Sequence, residues 1–387
     1  MINRNYWKKT IWSVIVSSSV AIIGTIPAFG ASPEFARTDS EWEKLQDNKL
    51  EYGELGDLIH EYNTTVQNNL VEYQEFINDY GTTNDEVAWS YRKLADELES
   101  SMTGDSEGSG LVSDFQLEQQ AKELRDQADD NVEDSEIYKL NYQMAEDNLT
   151  MSAQAKYLNY EKAKLELESA KEQLTLDQND YNLTVSKKNA GMATEAEVLE
   201  ANEQVLTQEK TIAELTQNVE NTRQTLIVML GWKESDTPQI EEIPELDLDT
   251  VKQINLEEDK QKALENNYTL RINKRKLENA QYADNQKTIQ STIKDNEKQI
   301  ALSVTEAYQT LQTAIRSYET ALSERETQSR ELKLAQQKQS VGMITQNEYL
   351  SQCVQDAQAE RSVSEALLEL RSAYETYQWD VNGLAAV

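Results

Sequence analysis

Two segments 151 residues apart carry the same signature, and that repetition limits the fold more than any other feature. KKNAGMATEAEVLEA surrounds Gly191 and KQSVGMITQNEYLSQ surrounds Gly342; both read Gly-Met-x-Thr, with Glu at the seventh position and Leu at the ninth. A weaker echo pairs Ile59-His60-Glu61-Tyr62-Asn63 with Ala263-Leu264-Glu265-Asn266-Asn267. A chain repeated in this way builds one supersecondary unit twice. Proline fixes the boundary between the units. Beyond Pro33 the only prolines are Pro238 and Pro244, so ring geometry forbids helix nowhere from Glu34 to Thr237 or after Glu245. The segment 232–250 is therefore read as a linker between two helical halves.

Apolar spacing identifies what each half contains. Val198, Val205, Ile212, Val219 and Leu226 recur every seven residues after Gly191; Ile137, Met144, Met151, Leu158 and Leu165 do so before it, beside Ala153, Tyr160, Leu167, Leu174 and Tyr181. In the second half Val304, Tyr308, Leu311, Ile315, Tyr318 and Leu322 alternate steps of four and three, the seam of a left-handed coiled coil. A separate stripe runs Ile293, Ile300, Ala307, Ala314, Ala321, Gln328, Ala335 and Gly342, and after the turn Ala359, Ala366 and Ala373. Two stripes on one helix predict neighbours on two sides. Each glycine is read as a left-handed residue ending one helix. Thr194 and Thr345 then cap the returning helices, with Glu197 and Glu348 completing capping boxes. The helix from about Ile137 to Asn189 would span about 80 Å at ~1.5 Å per residue. The expected fold is all-α: two tandem repeats of long antiparallel coiled-coil helical hairpins. The divisions are an N-terminal segment 31–54, a first repeat 55–231, the linker 232–250 and a second repeat 251–387. Within the first repeat, 102–113 (MTGDSEGSGLVS) reads as a flexible acidic loop.

Composition excludes several functions. With 70 acidic against 37 basic residues, the formal charge of −33 opposes nucleic-acid binding and adsorption to anionic lipid. One Cys and one His cannot supply a disulfide framework or the usual zinc sites, and no cofactor or metal site is expected. Nothing in the spacing of the carboxylates singles out a catalytic pair, so the chain is not read as an enzyme. The N-terminus reads as an export signal over 1–30: Arg4, Lys8 and Lys9 precede an apolar stretch from about Ile11 to Ile26, and Ala28 and Gly30 suit cleavage after Gly30. Removing three basic residues and no acidic ones takes the charge from −33 to −36. An uncleaved membrane anchor is the alternative. No later stretch approaches the ~20 apolar residues of a spanning helix.

These residues resemble the TolC-like outer-membrane efflux protein family over roughly residues 55–386. That family carries two repeats, each with a helix, a pair of strands, a long helix, a glycine tip turn and a returning helix. GMATEAEVLEA is similar to its tip pattern, and GMITQNEYLSQ more loosely so. The closing Leu-x-x-x-x-Gly matches Leu226–Gly231 and loosely Asp380–Gly383, while Ala263, Asn267 and Leu270 match the opening helix. One departure stands out. The family's strands build an outer-membrane barrel and should show ~10 alternating residues with aromatic girdles. Here 277–304 is polar and helical in pattern, and 81–134 contains the acidic loop, so membrane strands are not evident. This departure implies a cell without a conventional outer membrane, or a distal end that serves another surface layer.

The resemblance implies an exported homotrimer of the cell envelope whose six hairpins close into a hollow helical barrel. Its tips would dock on a membrane-fusion (periplasmic-adaptor-like) protein coupled to an inner-membrane pump, with an ABC-type permease among the candidates. Carried over by position, the tip contacts are Ala190, Gly191, Met192, Thr194, Val341, Gly342, Met343 and Thr345. On residue chemistry alone, the same glycines merely end helices and the same threonines merely cap them. His60 reads as a packing or surface histidine, and Cys353 as a wholly or partly buried thiol. Trp42, Trp89, Trp232 and Trp379 read as packing anchors near helix ends. The alternative function is a secreted helical spacer or wall-associated scaffold without a transport role.

Overall fold

The computed structural model describes residues 37–104 and 108–387. The expected export signal over 1–30 lies outside the described residues. The described residues divide into two units, 37–46 and 47–387. In the first, α1 (Asp39–Leu45) starts at Thr38, whose side chain and that of Glu41 form a reciprocal capping box.

The second unit opens with β1 (Lys49–Leu50), a single 3₁₀ turn over Tyr52–Glu54, α2 (Leu55–Tyr62) and α3 (Thr64–Tyr80). Next come α4 (Asn84–Ser100) and α5 (Gly108–Asp129), then the long α6 (Ser135–Asn189) and the returning α7 (Glu195–Met229). After β2 (Gln239–Ile240) and α8 (Leu248–Lys252), the second repeat runs α9 (Leu256–Asn266), α10 (Tyr268–Asn279), α11 (Ala283–Ser340) and α12 (Gln346–Trp379). The two hairpins are α6–α7 and α11–α12, as the repeat predicts. The protein is all-α in architecture, since β1 and β2 are the only strands among the described residues and each is two residues long.

Three expectations are corrected. The stretch 102–113 is not all loop: helix α5 begins at Gly108, and Asp114 within it accepts from the backbone N–H groups of Thr103 and Gly104 at 2.8 Å each. The linker 232–250 is partly regular. Its β2 pairs in parallel with β1, Lys49 opposite Gln239 and Leu50 opposite Ile240, and α8 starts before residue 250. The buried Tyr157 holds this pair against α6 by directing its hydroxyl at the carbonyls of Leu50 (3.1 Å) and Glu241 (2.5 Å). The seam on α11 also ends early: Val304, Leu311 and Ile315 are buried, but Leu322 is 42% exposed. Helix α11 packs on α9 and α10 as well as α12, and the buried cluster that they share reaches along α11 only as far as Ile315. The alanine stripe keeps its neighbour, with Ala321 and Ala335 buried on α11 and Ala366 and Ala373 on α12.

Both repeats are closed by the same device. An asparagine breaks each pair of opening helices and caps the second member. Asn63 Oδ1 accepts from Thr65 N–H (2.9 Å) while its Nδ2 donates to the carbonyl of Met229 (2.8 Å), at the end of α7. Asn267 Oδ1 accepts from Leu270 N–H (3.0 Å) while its Nδ2 donates to Gly383 (3.2 Å) and Ala385 (2.9 Å), just past α12. The adjoining glycines turn at positive φ, +95° for Gly231 and +131° for Gly383. A Cβ on Gly231 would sit 2.4 Å from Tyr62 Cβ, and one on Gly383 would sit 3.0 Å from the Asn266 carbonyl oxygen. Only glycine supplies both the conformation and the space.

The repeats differ where membrane strands would be inserted. Between its opening helices and long helix, the second repeat has only the break 280–282, and the first has the helical hairpin α4–α5. A polar clasp joins the repeats beside that insertion. Asp134, fully buried, caps α6 through Ile137 N–H (3.1 Å) and accepts from Arg275 Nε (2.6 Å) and Asn279 Nδ2 (2.9 Å) on α10. Lys276 pairs with Glu133 at 2.7 Å, and Asn279 Nδ2 also reaches the Val132 carbonyl at 2.9 Å.

Candidate hairpin-tip docking site

Both tips fold by the same local chemistry. Helix α6 ends on Ala190, followed by Gly191 at φ +75°; Gly191 N–H donates to Lys188 O and Met192 N–H to Lys187 O, each at 2.8 Å. Helix α11 ends on Val341, followed by Gly342 at φ +75°, with Gly342 N–H donating to Gln339 O (2.9 Å) and Met343 N–H to Lys338 O (2.8 Å). These paired bonds are complete Schellman motifs, which satisfy the last carbonyls of each helix.

Two residues later the returning helices open with capping boxes. Thr194 N–H donates to Glu197 Oε2 (2.6 Å) and Glu197 N–H to Thr194 Oγ1 (3.3 Å); the matching bonds at Thr345 and Glu348 measure 2.7 and 3.2 Å. Accepting the threonine backbone N–H first, and its hydroxyl second, holds both glutamates below the usual carboxylate range. Their contribution is therefore present above that range and lost as the pH falls through the lowered value. Thr345→Ala should cost about 1 kcal/mol, measured by urea unfolding at neutral pH. Glu348→Gln should leave a variant whose stability falls less on acidification than the wild type's.

The backbone is thus self-contained, and the side chains point outward. Met192 is 74% exposed, Met343 76% and Val341 70%; Ala190, Gly191, Thr194, Gly342 and Thr345 are exposed as well. Space around both tip glycines is open, since an added Cβ would meet no heavy atom within 4 Å. The structure brings the eight residues together as two separate four-residue tips.

One tip feature escapes a reading of the sequence. Lys188 and Glu195 form an ion pair across the first turn, and Gln339 donates through its amide to Gln346 across the second. These pairs occupy matching positions, 151 residues apart, so the same bridge is ionic in one repeat and neutral in the other. Pairing positions 188 with 195 and 339 with 346 at equal distance from the two glycines was the available signal. The second tip also carries valine where the first carries alanine, which makes it the more apolar of the two.

The remaining conspicuous residues are placed as follows. His60 is buried, with Nδ1 2.8 Å from Glu146 Oε1. Cys353 is half-buried on α12. Trp379 donates its indole N–H to Gln154 Oε1 at 2.7 Å, and Trp42 and Trp232 are half-buried. Trp89 is not a packing anchor: it is 60% exposed because it lies on the outer face of α4, with the Lys93 ammonium 5.6 Å from its ring centre. Among the described residues, no group of His, Cys, Asp or Glu is arranged to hold a metal ion, and no helix is long and apolar enough to cross a membrane.

Neither a family model nor a curated protein matches this sequence. Solved structures match it at low identity. A membrane protein from Pseudomonas aeruginosa has a TM-score of 0.56 at 10% identity, covering 86% of this chain and 90% of its own. The outer membrane protein VceC of Vibrio cholerae has a TM-score of 0.55 at 10% identity, covering 88% and 98%, and the CmeC outer membrane channel of Campylobacter jejuni has 0.54 at 11%, covering 95% and 94%. The likeness covers 86–95% of this chain, and the chain has a TolC-like fold.

Proposed function

We propose that this protein is an efflux or export component: a passive, extracytoplasmic conduit or adaptor in the cell envelope. It docks through its hairpin tips on a membrane-fusion protein of the periplasmic-adaptor type, and an inner-membrane pump, of ABC type among the candidates, supplies the energy. The observation that carries this reading is the pair of matched tips, each presenting an exposed methionine on a closed turn. Methionine is an adaptable apolar contact, and a glycine turn leaves room for partner side chains.

Assembly as a homotrimer belongs to the same proposal. Leu199 and Leu206 on α7 and Leu334 on α11 are 61%, 56% and 50% exposed along the arms. Apolar stripes without a neighbour in one chain suit lateral packing against other copies.

One observation favours the second reading, a secreted helical spacer or wall scaffold. Where the barrel strands would be, the first repeat has the α4–α5 hairpin and the second has a three-residue break. Capture of tagged protein from detergent-solubilised cells separates the two. The transport reading predicts that an adaptor and a pump co-purify with the wild type and not with a Gly191→Trp, Gly342→Trp variant of unchanged helicity. Because a bulky residue at φ +75° costs about 1–2 kcal/mol, a Met192→Asp, Met343→Asp variant checks the result without touching the turn. Equal capture by all forms would remove the tips as the docking site. Capture of no transporter protein by any form would leave the scaffold reading.

A further inference from the structure

The α4–α5 hairpin carries an apolar patch that its own packing does not use. The two helices pack on each other through Val87, Ala88, Ala95, Ala121 and Ala128, all buried, and chiefly on nothing else. Ion pairs hold them in register: Arg92 with Asp129 at 2.9 Å, and Arg125 with Asp96 at 2.8 Å and with Glu99. At the start of α5, Leu111, Val112 and Phe115 are 48%, 58% and 59% exposed. Leu111 and Phe115 are i, i+4 neighbours and Val112 and Phe115 are i, i+3 neighbours, so the three form a surface that is continuous through Phe115. It lies at the free end of the hairpin, about 25 Å along α5 from the point where the chain leaves that helix for α6, at ~1.5 Å per residue.

Charge decides what can cover this surface. Between Asn84 and Asp129 there are twelve acidic and four basic residues. Of the basic four, Arg92, Lys93 and Arg125 are already engaged with carboxylates inside the hairpin. The outward surplus is therefore anionic, and Glu118 stands exposed one turn beyond Phe115. A second copy of the hairpin would bring an equal negative charge against the first, and an anionic lipid surface would be repelled in the same way. A helix with an apolar stripe flanked by lysine or arginine meets neither obstacle. Its stripe covers the leucine, valine and phenylalanine while its cations face the surrounding carboxylates, with charge setting the encounter rate and apolar contact the lifetime.

We propose that the α4–α5 hairpin is a docking surface for a basic amphipathic helix on a partner protein, seated on Leu111, Val112 and Phe115. This site is independent of docking at the hairpin tips, so either can fail without the other. A fluorescein-labelled 18-residue peptide of leucine and lysine, amphipathic as a helix, serves as the probe in anisotropy titrations of the full-length chain. The expected result is saturable binding that weakens about tenfold or more in Leu111→Ser, Val112→Ser, Phe115→Ser protein and also when salt rises from 0.05 to 0.5 M. Met192→Ser, Met343→Ser protein should bind as the wild type does. All three hairpin substitutions fall on exposed side chains, and unchanged helicity by circular dichroism confirms that the variant folds. Undiminished binding by the triple variant would overturn the proposal. So would equal binding of a scrambled peptide of the same composition, which would show attraction to net charge alone. Sedimentation that finds a self-associated wild type dissociated by the triple substitution would assign the patch to a second copy instead.

Discussion

Asp134→Ala is expected to lower stability by about 3 kcal/mol in urea unfolding at neutral pH. Two losses combine. The first turn of α6 loses its cap, worth about 1 kcal/mol. A fully buried carboxylate that accepts from Arg275 and Asn279 also disappears, leaving those donors beside an apolar methyl. Breaking a buried pair costs about 3–5 kcal/mol when the remaining charge is stranded. Here Arg275 still reaches water and Glu278, which discounts that figure. Asp134→Asn keeps a cap acceptor and removes only the charge, so it should cost about half as much. A double-mutant cycle with Arg275→Ala measures the pair directly; a coupling energy near zero would show that Asp134 acts on α6 alone and does not tie the repeats together.

Asn267→Ala should cost a similar amount, about 3 kcal/mol: about 1 for the cap and about 1–3 for buried carbonyls left unpaired. Asn267 is 1% exposed, and its amide is aimed at the carbonyls of Gly383 and Ala385. Asn63→Ala should cost less, because Asn63 serves a single carbonyl, that of Met229, and is 8% exposed. Asn267→Asp is the sharper test. It keeps the capping oxygen but points a carboxylate at two carbonyl oxygens. Burial raises the pKa of that new acid, so the deficit should be full at neutral pH and shrink as the pH falls and the group becomes a donor. Urea midpoints of the three variants between pH 4 and pH 7 decide the matter. A stability of Asn267→Asp equal to wild type across that range would mean that the amide donor contributes nothing.

These two clusters also mark the limit of what the sequence discloses. The tip turns were legible to the residue, because a Schellman turn and a capping box are local: Gly, Thr and Glu within seven positions specify them. Asn267 was legible as part of a repeated pattern, but its carbonyl partners lie 116 and 118 residues away. Asp134 gave no signal at all, since Arg275 is 141 residues distant and nothing local distinguishes one acid among 70. The β1–β2 pair is too short to show alternation. Residues 108–113 read as loop from their glycines and serines, yet they begin α5, and Asp114 in that helix accepts from the backbone N–H groups of Thr103 and Gly104, a contact that weak propensity does not disclose. Trp89 failed for the complementary reason: a large aromatic at helical spacing suggests burial, but α4 has only one packed face.

The two glycines that close the repeats carry a further consequence. Gly191 precedes Gly231 by 40 residues, and Gly342 precedes Gly383 by 41. The returning arms are therefore a matched pair of rulers, each about 60 Å at ~1.5 Å per residue, fixed at one end by an asparagine clasp and at the other by a capped turn. Insertion or deletion in one arm alone would leave the two turns at different heights and would rotate the stripes of that arm away from their partners. Length can change only in concert, by whole heptads taken from the outgoing and returning helices of both repeats, about 10 Å at a time. Exposed side chains along the arms can change without touching these clasps and turns, while the length of each arm stays locked.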